Sequence, residues 1–186
     1  MKMRTIRDKE MYIDSIEVKH LDKNGKVLSD RVFPRDLSLW ERIKLFLHLR
    51  HNTMTSVGLV AIVNWLANNS PVAVPFGDIG IGTGTTASSP SDTWLQTALK
   101  VKSGTVSEVT TTYTGDTLQV VATFSSSDGL SGSSVAVTEV ILANGTSYSA
   151  GVTFALLHQV YSPADTMNWS QGDQLQVTVK VQSKQG

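Results

Sequence analysis

Gln119-Val-Val-Ala-Thr-Phe-Ser125 runs into Ser127-Asp-Gly129, resumes as Ala136-Val-Thr-Glu-Val-Ile-Leu142 and breaks again at Ala143-Asn-Gly145. β-Branched and aromatic residues suit a pleated, half-buried surface, and Asp-Gly and Asn-Gly supply the turn chemistry that ends such a strand. The same pattern extends in both directions. Short apolar segments at 78–81, 99–109, 152–161 and 175–182 are set off by turns such as Thr114-Gly-Asp116 and Gln171-Gly-Asp173. Short strands punctuated in this way predict a mainly β fold, an antiparallel β-sandwich of jelly-roll type, rather than a parallel α/β sheet. Within it only residues 93–99 read as a short helix.

The region before residue 71 has a different character. Residues 15–33 predict a β-hairpin, because Ile16, Val18 and His20 alternate with Glu17 and Lys19 and Asp22-Lys-Asn24-Gly25 supplies an Asn-Gly turn. Pro34 ends it. Ser38-Leu-Trp-Glu41 then matches a capping box, in which the Ser hydroxyl and the Glu carboxylate each satisfy an end N–H of a helix. Leu39, Trp40, Ile43, Phe46 and Leu47 follow at helical spacing, and a second helix is expected over residues 55–67. The expected organisation is a hairpin plus helical anchor over 1–70 and a β-sandwich domain over 71–186.

Charge follows the same division. Residues 1–50 hold 12 of the 16 Lys and Arg and 8 of the 16 Asp and Glu, so a head of net +4 precedes a body of net −4. Zero overall charge gives weak self-repulsion, which suits a subunit packed against neighbours, and it lacks the positive field that specific nucleic-acid binding requires. With no Cys there are no disulfides or thiolate metal sites, which fits an intracellular or virus-assembled protein. The charged first ten residues do not read as a signal peptide. The apolar run Val57-Gly-Leu-Val-Ala-Ile-Val-Asn-Trp-Leu-Ala67 is shorter than the roughly 20 residues a membrane-spanning helix needs, so a buried or surface-lying helix is expected instead.

No catalytic constellation stands out. Gly82-Thr-Gly84-Thr-Thr-Ala87 has the form of a dinucleotide fingerprint, but Ser88-Ser-Pro90-Ser-Asp92 follows where an apolar helix would have to begin. A glycine loop after a strand is the better reading, and no cofactor is expected. None of His20, His48, His51 and His158 sits in a nucleophile motif. His48 and His51 have helical spacing but too few nearby carboxylates to complete a zinc site, so no metal is expected. Most acidic residues of the body sit in turns. Glu139 is the exception, inside an apolar strand, where it must face solvent or find a partner. Trp94, Tyr161 and Trp169 could stack on sugars or anchor an interface. Asn68-Asn-Ser70, Asn144-Gly-Thr146 and Asn168-Trp-Ser170 have the form of glycosylation acceptors.

Ile79-Gly-Ile-Gly-Thr-Gly-Thr-Thr-Ala-Ser-Ser-Pro-Ser-Asp-Thr93 with Leu95-Gln96, then Thr138-Glu-Val140 and Gly172-Asp-Gln-Leu-Gln-Val-Thr-Val179, resembles segments of small β-sandwich structural proteins from tailed and related bacterial or archaeal viruses. The likeness covers about residues 76–183. Where those proteins carry Glu-x-Gly-Leu-Phe this chain has Glu139-Val-Ile-Leu-Ala143. The resemblance implies a virion component, non-enzymatic: a capsid decoration, fibre-base or tail-associated subunit that assembles in the host cytoplasm and contacts other capsid or tail subunits. Homo-oligomers are expected, with Trp40, Phe46, Leu47, Val57, Leu59, Val60, Ile62, Val63, Trp65 and Leu66 as the docking side chains. A carbohydrate-binding adhesion module and a membrane-associated virion protein are the alternatives.

Overall fold

The structure, a computed structural model, describes residues 10–34, 53–58, 60, 76–110, 117–150 and 152–184. Its ten strands are β1 (Glu10–Leu21), β2 (Val27–Pro34), β3 (Thr53–Met54), β4 (Asp78–Gly82), β5 (Ala98–Ser103), β6 (Thr105–Val109), β7 (Thr117–Phe124), β8 (Val135–Ala143), β9 (Ala155–Met167) and β10 (Gln174–Lys184). They form two five-stranded antiparallel sheets, in the orders β2-β1-β10-β7-β6 and β3-β9-β8-β4-β5.

Alternation sets the first sheet. Ile16, Val18 and His20 of β1 are buried, while Glu17 and Lys19 pair at 2.8 Å on the other face. Asp22 shapes the turn, its Oδ1 accepting the N–H groups of Asn24 and Lys26, and Gly25 takes φ 79°, which a side chain would oppose. The Asn-Gly hairpin lies where its turn residues place it. It does not stand apart from the body, however. The second edge of β1 pairs with β10 from Glu10↔Lys184 to Leu21↔Gln174, so the hairpin is part of the sandwich sheet.

The two inner faces meet in one core. Ile16, Val18, Phe124, Val177 and Val179 come from one sheet, and Ile79, Ile81, Val140, Leu142 and Leu157 from the other, all buried. Large aliphatic side chains contribute about 1.5–3 kcal/mol each when removed from water, and here they hold the sheets together without disulfides. The expected strand over 99–109 is two strands in different sheets, joined at Gly104. A Cβ there would sit 2.7 Å from Val120 Cγ1, so only glycine lets the chain turn this corner so tightly.

Residues 56–58 and 60 are helical. Thr55 caps them: its Oγ1 accepts the Gly58 N–H at 3.0 Å and donates to the Ala155 carbonyl, while its own N–H reaches Leu156 O at 2.9 Å. A Cβ on Gly58 would stand 2.6 Å from Leu156 Cα, so this turn is pressed onto β9. Among the described residues no helix is long and apolar enough to cross a membrane. The helix expected to start at Ser38, the turn at 114–116 and most of the helix expected over 55–67 lie outside the described residues. The short helix expected at 93–99 is absent: residues 93–97 are irregular and β5 begins at Ala98. The reason lies in where their N–H groups go.

Candidate functional site

The outer face of the second sheet is not open to water. After β4 the chain forms a strap, residues 83–97, that folds back across it. Leu95 of the strap packs on Ile141, Ala143 and Ala155, with Trp94 and Val101 flanking. Gly80 makes this contact possible, since a Cβ there would meet Ile141 at 2.7 Å and Leu95 at 3.0 Å.

Under the strap lies Glu139, in the middle of β8 and fully buried. Its Oε1 accepts the N–H groups of Gly84 at 2.7 Å and Thr97 at 2.8 Å, and its Oε2 accepts that of Gln96 at 2.9 Å. The Thr97 N–H is thus spent on a carboxylate and the Thr93 carbonyl on the Ala155 N–H, so the pairing that would close a helical turn over residues 93–97 is not made. The remaining partner is His158 of β9, also fully buried, whose Nε2 lies 2.9 Å from Glu139 Oε2. His158 Nδ1 lies 2.6 Å from Oδ2 of Asp92, a strap residue that also accepts the Ser89 N–H at 2.8 Å. A chain of three ionisable groups runs from the strap surface into the sheet.

Burial opposes charge on both Glu139 and His158, but their bonds outweigh it. Three backbone N–H groups and His158 hold the Glu139 carboxyl below its usual 4.5, and the two flanking carboxylates hold the imidazole above its usual 6.5. Proton counting agrees. A neutral imidazole carries one N–H and can donate to only one of two carboxylates, so this geometry is complete with His158 doubly protonated. Every lone pair or proton that Glu139 and His158 would offer to a substrate is already engaged inside the protein. The arrangement clamps backbone, and its chemical output is rigidity.

The glycine motif acquires a role here. A Cβ on Gly82 would run into Glu139 Oε1 and the Thr97 carbonyl, and one on Gly84 would lie 2.6 Å from the same oxygen. Thr138 Oγ1 donates to Gly84 O at 2.7 Å, fixing the loop from the other side. Gly82-Thr-Gly84 therefore wraps an internal anion, the Glu139 side chain, as glycine loops do for phosphates.

Other residues singled out from the sequence fall elsewhere. Trp169 is 1% exposed and Tyr161 3%, so both are core residues with no face for a sugar ring. Burial and the Asp165 carboxylate push the Tyr161 hydroxyl well above 10, and Phe33 packs on its ring at 5.2 Å. Trp94 is half-buried and meets Tyr148, which is 52% exposed, at 5.7 Å between centroids. Asn144 is buried, bonding Val152 O and the Phe154 N–H, and Asn168 caps the turn at Gln171; both act within the fold. Val57 is half-buried and Val60 exposed. Trp40, Phe46, Leu47, Leu59, Ile62, Val63, Trp65 and Leu66, with His48, His51 and Asn68, lie outside the described residues. Among the described residues no group of three His, Asp or Glu is placed to hold a metal ion.

Sequence reasoning isolated Glu139 but missed its partners. The available signal was His158 within Ala155-Leu-Leu-His-Gln-Val160: two ionisable groups in the interiors of two apolar strands satisfy each other most economically. Asp92 carried no signal, because it reads as one more turn aspartate. No protein-family model, curated protein or solved structure matches the chain.

Proposed function

We propose that this chain is a structural subunit of a virus particle, a capsid decoration, fibre-base or tail-associated protein that assembles with capsid or tail subunits and with copies of itself. Its sandwich would be jelly-roll-like, as in the virion proteins that the strap sequence resembles. One observation carries the proposal: Glu139 of the Asp92–His158–Glu139 centre is filled by three backbone N–H groups and His158, and the centre holds down the strap in which the resemblance is concentrated. A centre of this kind supports a scaffold. The charged head, the sparsely charged, hydroxyl-rich body and the exposed Val60 at the start of the apolar run support assembly through that run.

Light scattering on the full-length chain, with and without Val60→Asp, tests the assembly step. Concentration-dependent association that the substitution weakens is the expected result. A monomer at all concentrations would remove the basis for an apolar anchor. Immunogold labelling of intact particles tests the location directly.

The carbohydrate-binding alternative is left with a smaller surface, since of its three aromatics only Trp94 is not buried in the core.

A further inference from the structure

The strap is fastened at two ends by different means. At one end Gly84, Gln96 and Thr97 bind Glu139, which is fully buried and accepts their N–H groups directly. At the other end Asp92 is held by His158 Nδ1, and its side chain is 20% exposed. The backbone around Asp92 is what ties the strap to its neighbours. Thr93 O accepts the Ala155 N–H at 2.9 Å, and Pro90 O accepts the Ser56 N–H at 2.8 Å. Ser56 is the first helical residue after the Thr55 cap, so this end of the strap also positions the start of the apolar run.

We infer that Asp92 and His158 form a pH-operated fastener that releases one end of the strap, and with it the start of the helical turn at Ser56, when the imidazole loses its second proton. Among the described residues the charged groups facing His158 are Glu139 from β8 and Asp92 from the strap. β4 presents Gly80 and Gly82 on that face, and the 55–58 turn brings Thr55 and Gly58 against β9. A neutral imidazole keeps one N–H. Glu139 is buried and cannot be hydrated, so the remaining proton stays on Nε2. Nδ1 then presents a lone pair to the Asp92 carboxylate, and Asp92, already part-exposed, turns to water. The Glu139 end stays closed, which makes the opening a hinged one.

Amide exchange measured by NMR across the titration of the His158 ring tests this on the full-length chain. Protection at Ser56 and Ala155 should fall at least tenfold as pH crosses the His158 midpoint, after correction for base-catalysed exchange. Gly84, Gln96 and Thr97, with Val177 as a core reference, should keep theirs. Asp92→Asn leaves an acceptor but no charge, so the midpoint and the loss of protection should move together to lower pH. Flat protection at Ser56 and Ala155 would overturn the inference, as would simultaneous loss at all the strap amides or a midpoint that shifts without the exchange following it. If Val177 shows that Asp92→Asn has lost its fold, coincidence of the two midpoints in the unaltered protein decides. These outcomes do not depend on whether the chain assembles, so failure here leaves the assembly proposal standing.

Discussion

Glu139 Oε1 accepts the Gly84 N–H at 2.7 Å, and a Cβ on Gly84 would stand 2.6 Å from that same oxygen. The missing side chain and the buried charge are one feature: the loop can close on the carboxylate only because nothing projects from its backbone. This pairing links β8 to a segment more than fifty residues earlier, and it turns a nucleotide-like motif into an internal anion clasp.

Gly82→Ala and Gly84→Ala should each destabilise the fold by about 1–3 kcal/mol through overpacking against Glu139. Urea unfolding measures this. Gly25→Ala is a useful contrast, because nothing lies within 4 Å of that position and only its φ of 79° opposes a side chain. Equal stability of Gly82→Ala and the parent would mean that the strap does not sit on Glu139.

Glu139→Ala removes the acceptor for three backbone N–H groups and leaves His158 facing Asp92 alone inside the protein. A loss of about 3–5 kcal/mol is expected, the range for breaking a buried ion pair by deleting one partner. Glu139→Gln keeps the size but offers one carbonyl in place of two oxygens, so it should fall between the two. Thermal unfolding of the three proteins gives the order, and a neutral Glu139→Ala would contradict the clamp.

Stability should peak in mildly acidic solution. His158 has a raised folded value, so its contribution is complete below the unfolded value near 6.5 and disappears as pH rises through the folded one. Glu139 has a lowered folded value, so its contribution is complete above about 4.5 and disappears as pH falls through the folded one. Both terms are therefore complete between about 4.5 and 6.5. Denaturant midpoints across pH 4–9 test the shape, and in His158→Gln the decline on the alkaline side should flatten.

The aromatics separate core from surface. Trp169→Ala should lose about 3–5 kcal/mol, the range for deleting a large buried side chain. Tyr148→Ala, at an exposed site, should stay within about 0.5 kcal/mol plus the small contribution of its contact with Trp94. Calorimetry distinguishes them. A tolerated Trp169→Ala would place that ring at a surface and revive a sugar-stacking role for it.

What was legible in the chain was local. Asn24-Gly25, Asp128-Gly129 and Gln171-Gly172 mark turns because Gly25, Gly129 and Gly172 need positive φ, and the apolar stretches between turns had to become strands that bury them. Those requirements act within a few residues, so composition and order suffice to read them, and they determined a mainly β chain. Only the tertiary structure decided that β1 pairs with β10, that the 99–109 segment splits at Gly104 between two sheets, and that Asp92, Glu139 and His158 meet. Each of these depends on contacts between separate elements: β1 meets β10 from the far end of the chain, and the Asp92–His158 contact spans 66 residues. Their register depends on how two sheets stack, and a buried charge is satisfied by whichever opposite group the packing delivers, not by its neighbours in sequence.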